Sequence, residues 1–230
     1  MEAVSRGVAL AGSLTRATRS GDTAQRAAGA LRALGVRLDA DEGPLSVPGP
    51  VGTLIVANHV SWLDIVGLLA LEPAAFLAKR EVANWPLVGE QARRLDTLFV
   101  DRWALRSLPE TVAAVAARLR EGRSVAVFPE ATTYCSGEGG PFRRAVFQAA
   151  LDAGAPVRPV TLSYLQGGLP STVAAFVGDD TLARSLGRVT RASGLTLRVR
   201  AHTALAPEGD RKELAARARR AVLAAEPAHV

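Results

Sequence analysis

Cysteine is almost absent from this 230-residue chain. Cys135 stands alone, so no intramolecular disulfide can form and the fold must hold by packing, which suits a reducing compartment. Aromatic residues make up only 5%. No stacking-rich segment and no zinc-finger spacing is present, and this argues against nucleic acid as a partner. Long apolar runs are lacking too. The longest apolar stretch, Val51–Ala78, is broken by Asn58, His59, Asp64, Glu72 and Pro73; it reads as strand, helix, strand and not as a membrane span. Near the start, basic residues flank the short apolar stretch Gly7–Leu14, which is at the low end for a signal core and has no small-residue cleavage site after it. A Gly-x-Ser-x-Gly nucleophile turn, a phosphate-binding Walker loop and a dinucleotide glycine pattern are all missing, which disfavours the common hydrolase and nucleotide-binding classes.

What is present is a core-forming composition. Hydrophobic residues make up 48%, and the formal net charge is +6. The first is enough for a sizeable core. The second favours anionic partners such as phosphate groups and acidic lipids.

Periodicity predicts two N-terminal helices, over 3–19 and 23–34, divided by Ser20-Gly21-Asp22. The first can lie on a membrane surface or cover a core. Apolar strands follow at Thr53–Ala57, Ala75–Ala78, Thr97–Val100, Ser124–Phe128 and Val157–Tyr164. Helical spacing separates them over Ser61–Leu71, Trp85–Leu95, 107–121 and Phe142–Ala153, with Gly122 and Gly154 as stops. The segment 168–192 is ambiguous. Leu195–His202 alternates as a half-exposed strand, and Asp210 with Glu213 caps a last helix over about 211–225. Strands alternating with helices predict a single α/β domain: a largely parallel mixed sheet flanked by helices, with a helical pair in front.

Polar residues gather where apolar strands end, and ligands in such sheets tend to sit there. Asn58-His59-Val60-Ser61-Trp62-Leu63-Asp64 follows the first strand of the series. On one ideal helix His59 and Asp64 would be turned roughly 140° apart. With His59 in a turn and Asp64 in the first helical turn, the two side chains meet. The carboxylate then holds one imidazole nitrogen and leaves the other to accept a proton. Three further clusters are Leu98–Arg102, Val127–Thr133 and Ala155–Val160. Two prolines in the last predict an edge or a bulge. Backbone N–H groups near Ser61, or near Ala131–Thr132, are candidate donors to a negative charge on a ligand. His202 and His229 read as structural or solvated. Trp62, Trp85 and Trp103 read as core packing or as the lining of an apolar groove.

In their order and spacing these clusters resemble the lysophosphatidic acid acyltransferase family, within the wider glycerolipid acyltransferase group. That family is known for a His-four residues-Asp motif, a phenylalanine-containing strand ending in Arg, a Phe-Pro-Glu-Gly-Thr motif and a Pro-rich strand. The matching residues are His59 and Asp64, Phe99 through Arg102, Phe128-Pro129-Glu130 with Thr132, and Pro156 through Val160. Lys79, Glu81, Pro86 and Gly89 resemble the intervening segment, and Phe142-Arg143-Arg144 with Phe147 its basic-aromatic stretch. The likeness covers about 54–164. Ala131 departs from the family's Gly, Thr133 from its common Arg, and Asp96 from a frequent Gly.

The resemblance implies a glycerol-3-phosphate acyltransferase-like fold, with 1–35 as an N-terminal helical segment able to contact membrane and 36–230 as the acyltransferase domain. It implies transfer of a fatty acyl group from acyl-CoA or acyl carrier protein to the free hydroxyl of a lysophospholipid, 1-acylglycerol-3-phosphate first among them. The thioester is a co-substrate; neither cofactor nor metal is expected. His59 and Asp64 would form the general-base pair, and Lys79, Arg102, Glu130 and Thr132 would bind substrate or shape the site. The partners expected are the lysophospholipid, the acyl carrier and an anionic membrane surface, with no nucleic acid, and the location is peripheral, on the cytoplasmic face of the cell membrane. A fold-sharing lipid-binding protein without activity, and an acyltransferase acting on a lyso-aminolipid, are the alternatives.

Overall fold

The computed structural model describes residues 23–79, 97–100, 108–135 and 139–224, except the side chains of Lys79, Phe99 and Val100. Helix α1 (Thr23–Leu34) places Ala27, Ala30, Leu31 and Leu34 on one buried face, at the 3.6-residue spacing that makes a helix one-sided. It ends at Gly35, whose φ of 74° lets Val36 N–H reach back to the Leu31 carbonyl. Strands β1 (Arg37–Ala40) and β2 (Leu54–Ala57) follow, then α2 (Leu63–Leu71), β3 (Ala75–Lys79), β4 (Leu98–Val100), α3 (Leu108–Arg120) and β5 (Val125–Val127). After them come α4 (Ala145–Ala153), β6 (Val157–Gln166), the two-residue β7 (Leu169–Pro170), α5 (Leu182–Arg191), β8 (Leu195–Ala201) and α6 (Arg211–Leu223).

The sheet runs β1-β8-β6-β2-β5-β3-β4, with β7 added to β6. Pairing is parallel throughout β6-β2-β5-β3-β4 and between β1 and β8; β8 and β7 run antiparallel to β6. This is the expected single α/β domain with a largely parallel mixed sheet. Alternate side chains serve two cores. Ile55, Ala57, Phe76, Leu162, Tyr164 and Leu197 share one with α1, α2 and α5. Leu54, Val56, Val125, Val127 and Val157 share the other with α3, α4 and α6. The α1 segment thus belongs to the same packing unit as the sheet. Gly67 of α2 is needed for its close seating, since a Cβ there would fall 2.3 Å from Leu197 Cδ2.

Two expectations are refined. The ambiguous 168–192 segment forms β7, a loop and α5, the helix capped by Thr181 Oγ1 accepting from Arg184 N–H. Of the two prolines, Pro159 lies in β6 and Pro156 just before it, and β6 is an interior strand, between β2 and β8, and not an edge. The irregularity they require is on the partner: Val160 pairs with Ala201 and Val157 with Leu205, so the partner has one more residue between the two pairings than β6 has. Pro159, which has no N–H to donate, sits at this bulge and accepts from His202 N–H at 2.9 Å.

The topology opens a crevice. The chain leaves β2 through α2 on one face and leaves β5 through α4 on the other, although β2 and β5 are neighbours. Their adjacent carboxyl ends therefore diverge, the arrangement in which α/β sheets hold ligands.

Candidate active site

At the end of β2, Asn58 continues the sheet with its side chain. Its amide nitrogen donates to the Leu162 carbonyl at 2.9 Å, and its amide oxygen accepts from Leu162 N–H at 2.7 Å. The side chain replaces a rung of β-ladder, so the main chain is free to turn out of the sheet at His59. Both main-chain groups of His59 are taken by the loop after β5: its N–H donates to Glu130 Oε2 at 2.8 Å, and its carbonyl accepts from Tyr134 N–H at 2.8 Å. The ring stacks on Phe128, with centroids 4.0 Å apart and planes 13° from parallel.

Helix α2 begins four residues after His59, with Asp64 in its first turn. This is the bend the sequence requires, and the side chains meet: His59 Nδ1 and Asp64 Oδ2 are 2.8 Å apart. The same Oδ2 accepts the N–H groups of Val60 at 2.7 Å and Ser61 at 2.8 Å, as an N-terminal helix carboxylate does. Tyr164, from β6, donates its hydroxyl to Oδ1 at 2.6 Å. Asp64 is 0% exposed while the His59 side chain is 18% exposed. With Nδ1 donating to the carboxylate, Nε2 is the nitrogen left to accept a proton; it makes no hydrogen bond among the described residues. Burial, and next the nearby Asp64 charge, push the Tyr164 hydroxyl well above its usual pKa, so it stays a donor.

Glu130 is buried, and both its oxygens hold backbone: Oε2 the His59 N–H, and Oε1 the Gly140 N–H at 3.0 Å. These bonds tie the loop after β5 to the turn that carries His59. Gly139, at φ 62°, wraps so close that a Cβ would lie 2.2 Å from Glu130 Oε1. The neighbouring Ala131 has φ 64°, the one left-handed non-glycine among the described residues. The family's Gly at this place thus meets a conformational demand that Ala131 fulfils at a cost of roughly 1 kcal/mol. Thr132 is exposed.

Most of the backbone donors expected from sequence are engaged. Val60 and Ser61 N–H groups hold Asp64, Leu63 N–H reaches Ser61 Oγ, and Ala131 N–H returns to the Phe128 carbonyl. Arg102 and the Lys79 side chain lie outside the described residues, as do Trp85 and Trp103. Trp62 packs against the core and donates Nε1–H to Ser185 Oγ at 3.0 Å. Arg158 donates to the Leu45 and His202 carbonyls, a structural role. His202 lies 2.7 Å from Thr161 Oγ1, and burial holds its pKa below the usual value. A cavity of about 760 Å³ lies between the first turns of α3, α4 and α6, lined by Leu108, Arg144, Gln148 and Lys212 among others; His59, Asp64 and Glu130 take no part in it.

Residues missed from sequence are Tyr164 and the amide role of Asn58. Tyr164 reads as one more apolar strand position; a tyrosine inside a buried strand, needing a partner for its hydroxyl, is the signal that was there.

A parallel sheet carries a His–Asp pair at the divergence of β2 and β5, an arrangement whose free ring nitrogen can accept a proton. The family model named Acyltransferase matches residues 42–163, which contain Asn58, His59, Asp64 and Glu130 and stop one residue short of Tyr164. The chain belongs to the acyltransferase family. It is 39% identical over 172 residues to a 1-acyl-sn-glycerol-3-phosphate acyltransferase of Neisseria gonorrhoeae, covering 74% of this chain and 66% of that protein. It is 40% identical over 172 residues to a lyso-ornithine lipid O-acyltransferase of Pseudomonas aeruginosa, with the same coverage. In each case the match spans just under two thirds of the relative's own length. The crystal structure of the 1-acyl-sn-glycerophosphate (LPA) acyltransferase PlsC from Thermotoga maritima shares the fold, with a TM-score of 0.61 at 23% identity, over 97% of this chain and 90% of that one.

Proposed function

We propose that this protein transfers a fatty acyl group from acyl-CoA or acyl carrier protein to the free hydroxyl of a lysophospholipid, with 1-acylglycerol-3-phosphate as acceptor and phosphatidic acid as product. The observation that carries the reading is the 2.8 Å approach of His59 Nδ1 to a fully buried Asp64. His59 Nε2 takes the proton from the acceptor hydroxyl while its oxygen attacks the thioester carbonyl. The resulting imidazolium is stabilised by Asp64, and its proton passes to the departing thiolate as the tetrahedral intermediate collapses. Since the thioester is already activated, the scheme contains no covalent enzyme intermediate and no metal. General-base assistance of this kind typically gives about 10²–10⁴-fold. The exposed Thr132, just past the left-handed turn at Ala131, offers an N–H to the oxyanion. Lys79 and Arg102 are assigned the acceptor phosphate, which a guanidinium fork suits.

A lyso-ornithine lipid is the second acceptor considered, because relatives of both names match over 172 residues at nearly equal identity. The place of work is proposed as the cytoplasmic face of the membrane, held peripherally. Among the described residues no helix is long and apolar enough to cross a membrane, and the net charge of +6 attracts an anionic leaflet.

The test is an acylation assay with labelled acyl-CoA and acyl carrier protein against lysophosphatidate and lyso-ornithine lipid, on wild type and His59→Ala. Turnover of lysophosphatidate that vanishes in the variant supports the proposal. Turnover of lyso-ornithine lipid alone would replace the acceptor. No turnover with any pair would leave a lipid-binding protein.

A further inference from the structure

Asp64 is a buried anion whose donors, His59 apart, are all neutral: two backbone amides on Oδ2 and one phenol on Oδ1. The amides come from the chain that carries Asp64 itself and are fixed by the start of α2. The phenol comes from β6, a hundred residues away, and is 1% exposed. A hydrogen-bonded row thus runs Tyr164, Asp64, His59. Asn58 fixes β6 against the end of β2 through the backbone of Leu162, two residues before Tyr164, so the phenol and the His59 turn are positioned by one splice of the sheet.

We propose that Tyr164 is a positioning residue of the acyl-transfer site: its hydroxyl fixes the carboxylate plane of Asp64 and sets how strongly that carboxylate draws a proton onto His59. This rests on His59 being the general base. A donor on Oδ1 withdraws charge from the carboxylate, so it weakens the pull of Oδ2 on an imidazolium. It also blocks rotation of the carboxyl group, because Oδ1 is tied to the sheet while Oδ2 is tied to the helix. Tyr164 touches neither acceptor nor thioester in this scheme, and acts through Asp64.

The test follows the His59 ring by NMR through a pH titration, alongside kcat/KM profiles, for wild type, Tyr164→Phe and His59→Gln. The chain has three histidines, so His59→Gln assigns the signal. Tyr164→Phe keeps the ring and removes only the hydroxyl. The expected result is an upward shift of the His59 titration by about half a unit or more. The acidic limb of kcat/KM moves with it, and kcat at the plateau falls roughly tenfold, the size of one lost charge-assisted hydrogen bond. An unshifted His59 titration overturns the inference, whether or not the melting temperature falls, since a purely structural phenol would cost stability and leave the proton affinity alone. Incorporation of 3-fluorotyrosine in a Tyr134→Phe background covers the case in which Tyr164→Phe does not fold. The more acidic phenol is a stronger donor and must lower the His59 titration; no change, or a rise, overturns the inference. If instead His59→Gln keeps full activity, the general-base reading fails, and the NMR shift still decides whether the phenol controls the ring.

Discussion

Two aspartates of this chain are each held by several donors, and they are held in opposite ways. Asp39, on the outer strand β1, lies against Arg198 at 2.8 Å and Arg200 at 2.9 Å on β8. Asp64, at the crevice, is held by two amides and a phenol, with the His59 ring as its one ionisable donor of opposite kind. At the edge, the carboxylate is neutralised by permanent cations, and its pKa is lowered chiefly by the Arg198 hydrogen bond, then by Arg200. In the crevice, neutral donors fix the carboxylate while leaving its charge unbalanced. That charge is balanced when the imidazole takes up a proton, the event the proposed reaction needs. The edge carboxylate recruits guanidinium; the crevice carboxylate, which the proposed reaction uses to steer a proton, has none among the described residues that donate to it.

The contrast can be broken by substitution, and the largest effect belongs to the crevice. His59→Ala should lower kcat/KM by about 10³–10⁴-fold with little change in melting temperature, the measure of a lost general base. Asp64→Asn should cost about 10²–10⁴-fold, because the amide cannot hold the imidazole tautomer as a carboxylate does. It should also destabilise the fold, since one amide group cannot accept from the ring and both main-chain N–H groups equally well; calorimetry alongside rate measurements separates the two losses. Both crevice substitutions should therefore be read in turnover first.

Stability carries the remaining comparisons. Glu130→Gln leaves either the His59 or the Gly140 N–H without its acceptor, and should cost about 1–3 kcal/mol in urea unfolding, the penalty for an orphaned buried donor. Asp39→Asn should cost only about 0.2–1 kcal/mol, because its arginines are roughly a third exposed and water screens the pair. Its acid dependence has a defined sign. The folded pKa lies below the unfolded value, so the stabilisation is complete above the ordinary aspartate range near pH 3.9 and is lost as pH falls through the lowered folded value. Wild type should lose its small advantage over Asp39→Asn in that acid window. A constant difference down to pH 2 would show that the edge pairs contribute nothing electrostatic. Last, Ala131→Gly should raise stability by up to about 1 kcal/mol, the relief of a left-handed alanine less the entropy of glycine.

The legible part of the fold was the part written in periodic pattern. Leu54–Ala57 and Val125–Val127 are continuous apolar runs because parallel interior strands are covered on both faces. Gly154, at φ 62°, stops α4 as its position after an apolar helix predicts. Asp210 caps α6 with its carboxylate on the Lys212 and Glu213 amides. Helix α5 was masked: Leu182, Leu186 and Val189 recur at helical spacing and Val189 enters the core, but three arginines among ten residues obscure the pattern, and Trp62 reaching Ser185 and Arg188 binding the Val173 and Ala175 carbonyls fix the helix further. The interior place of β6 was hidden as well. Two prolines in a row of strand residues argue for an edge or a bulge without choosing, and the bulge that admits Pro159 belongs to the far strand. For the site, local spacing was enough to bring His59 to Asp64. Tyr164 and Leu162 enter from a hundred residues away, and contacts of that sequence separation leave no mark on local pattern.

The splice made by Asn58 has a practical consequence. Leu162 N–H is hydrogen-bonded to a side-chain oxygen and not to a neighbouring strand, so its solvent exchange rate is a sentinel for one event, the release of the turn that bears His59. A single backbone proton, followed without any substrate present, therefore times how often the machinery falls open at rest.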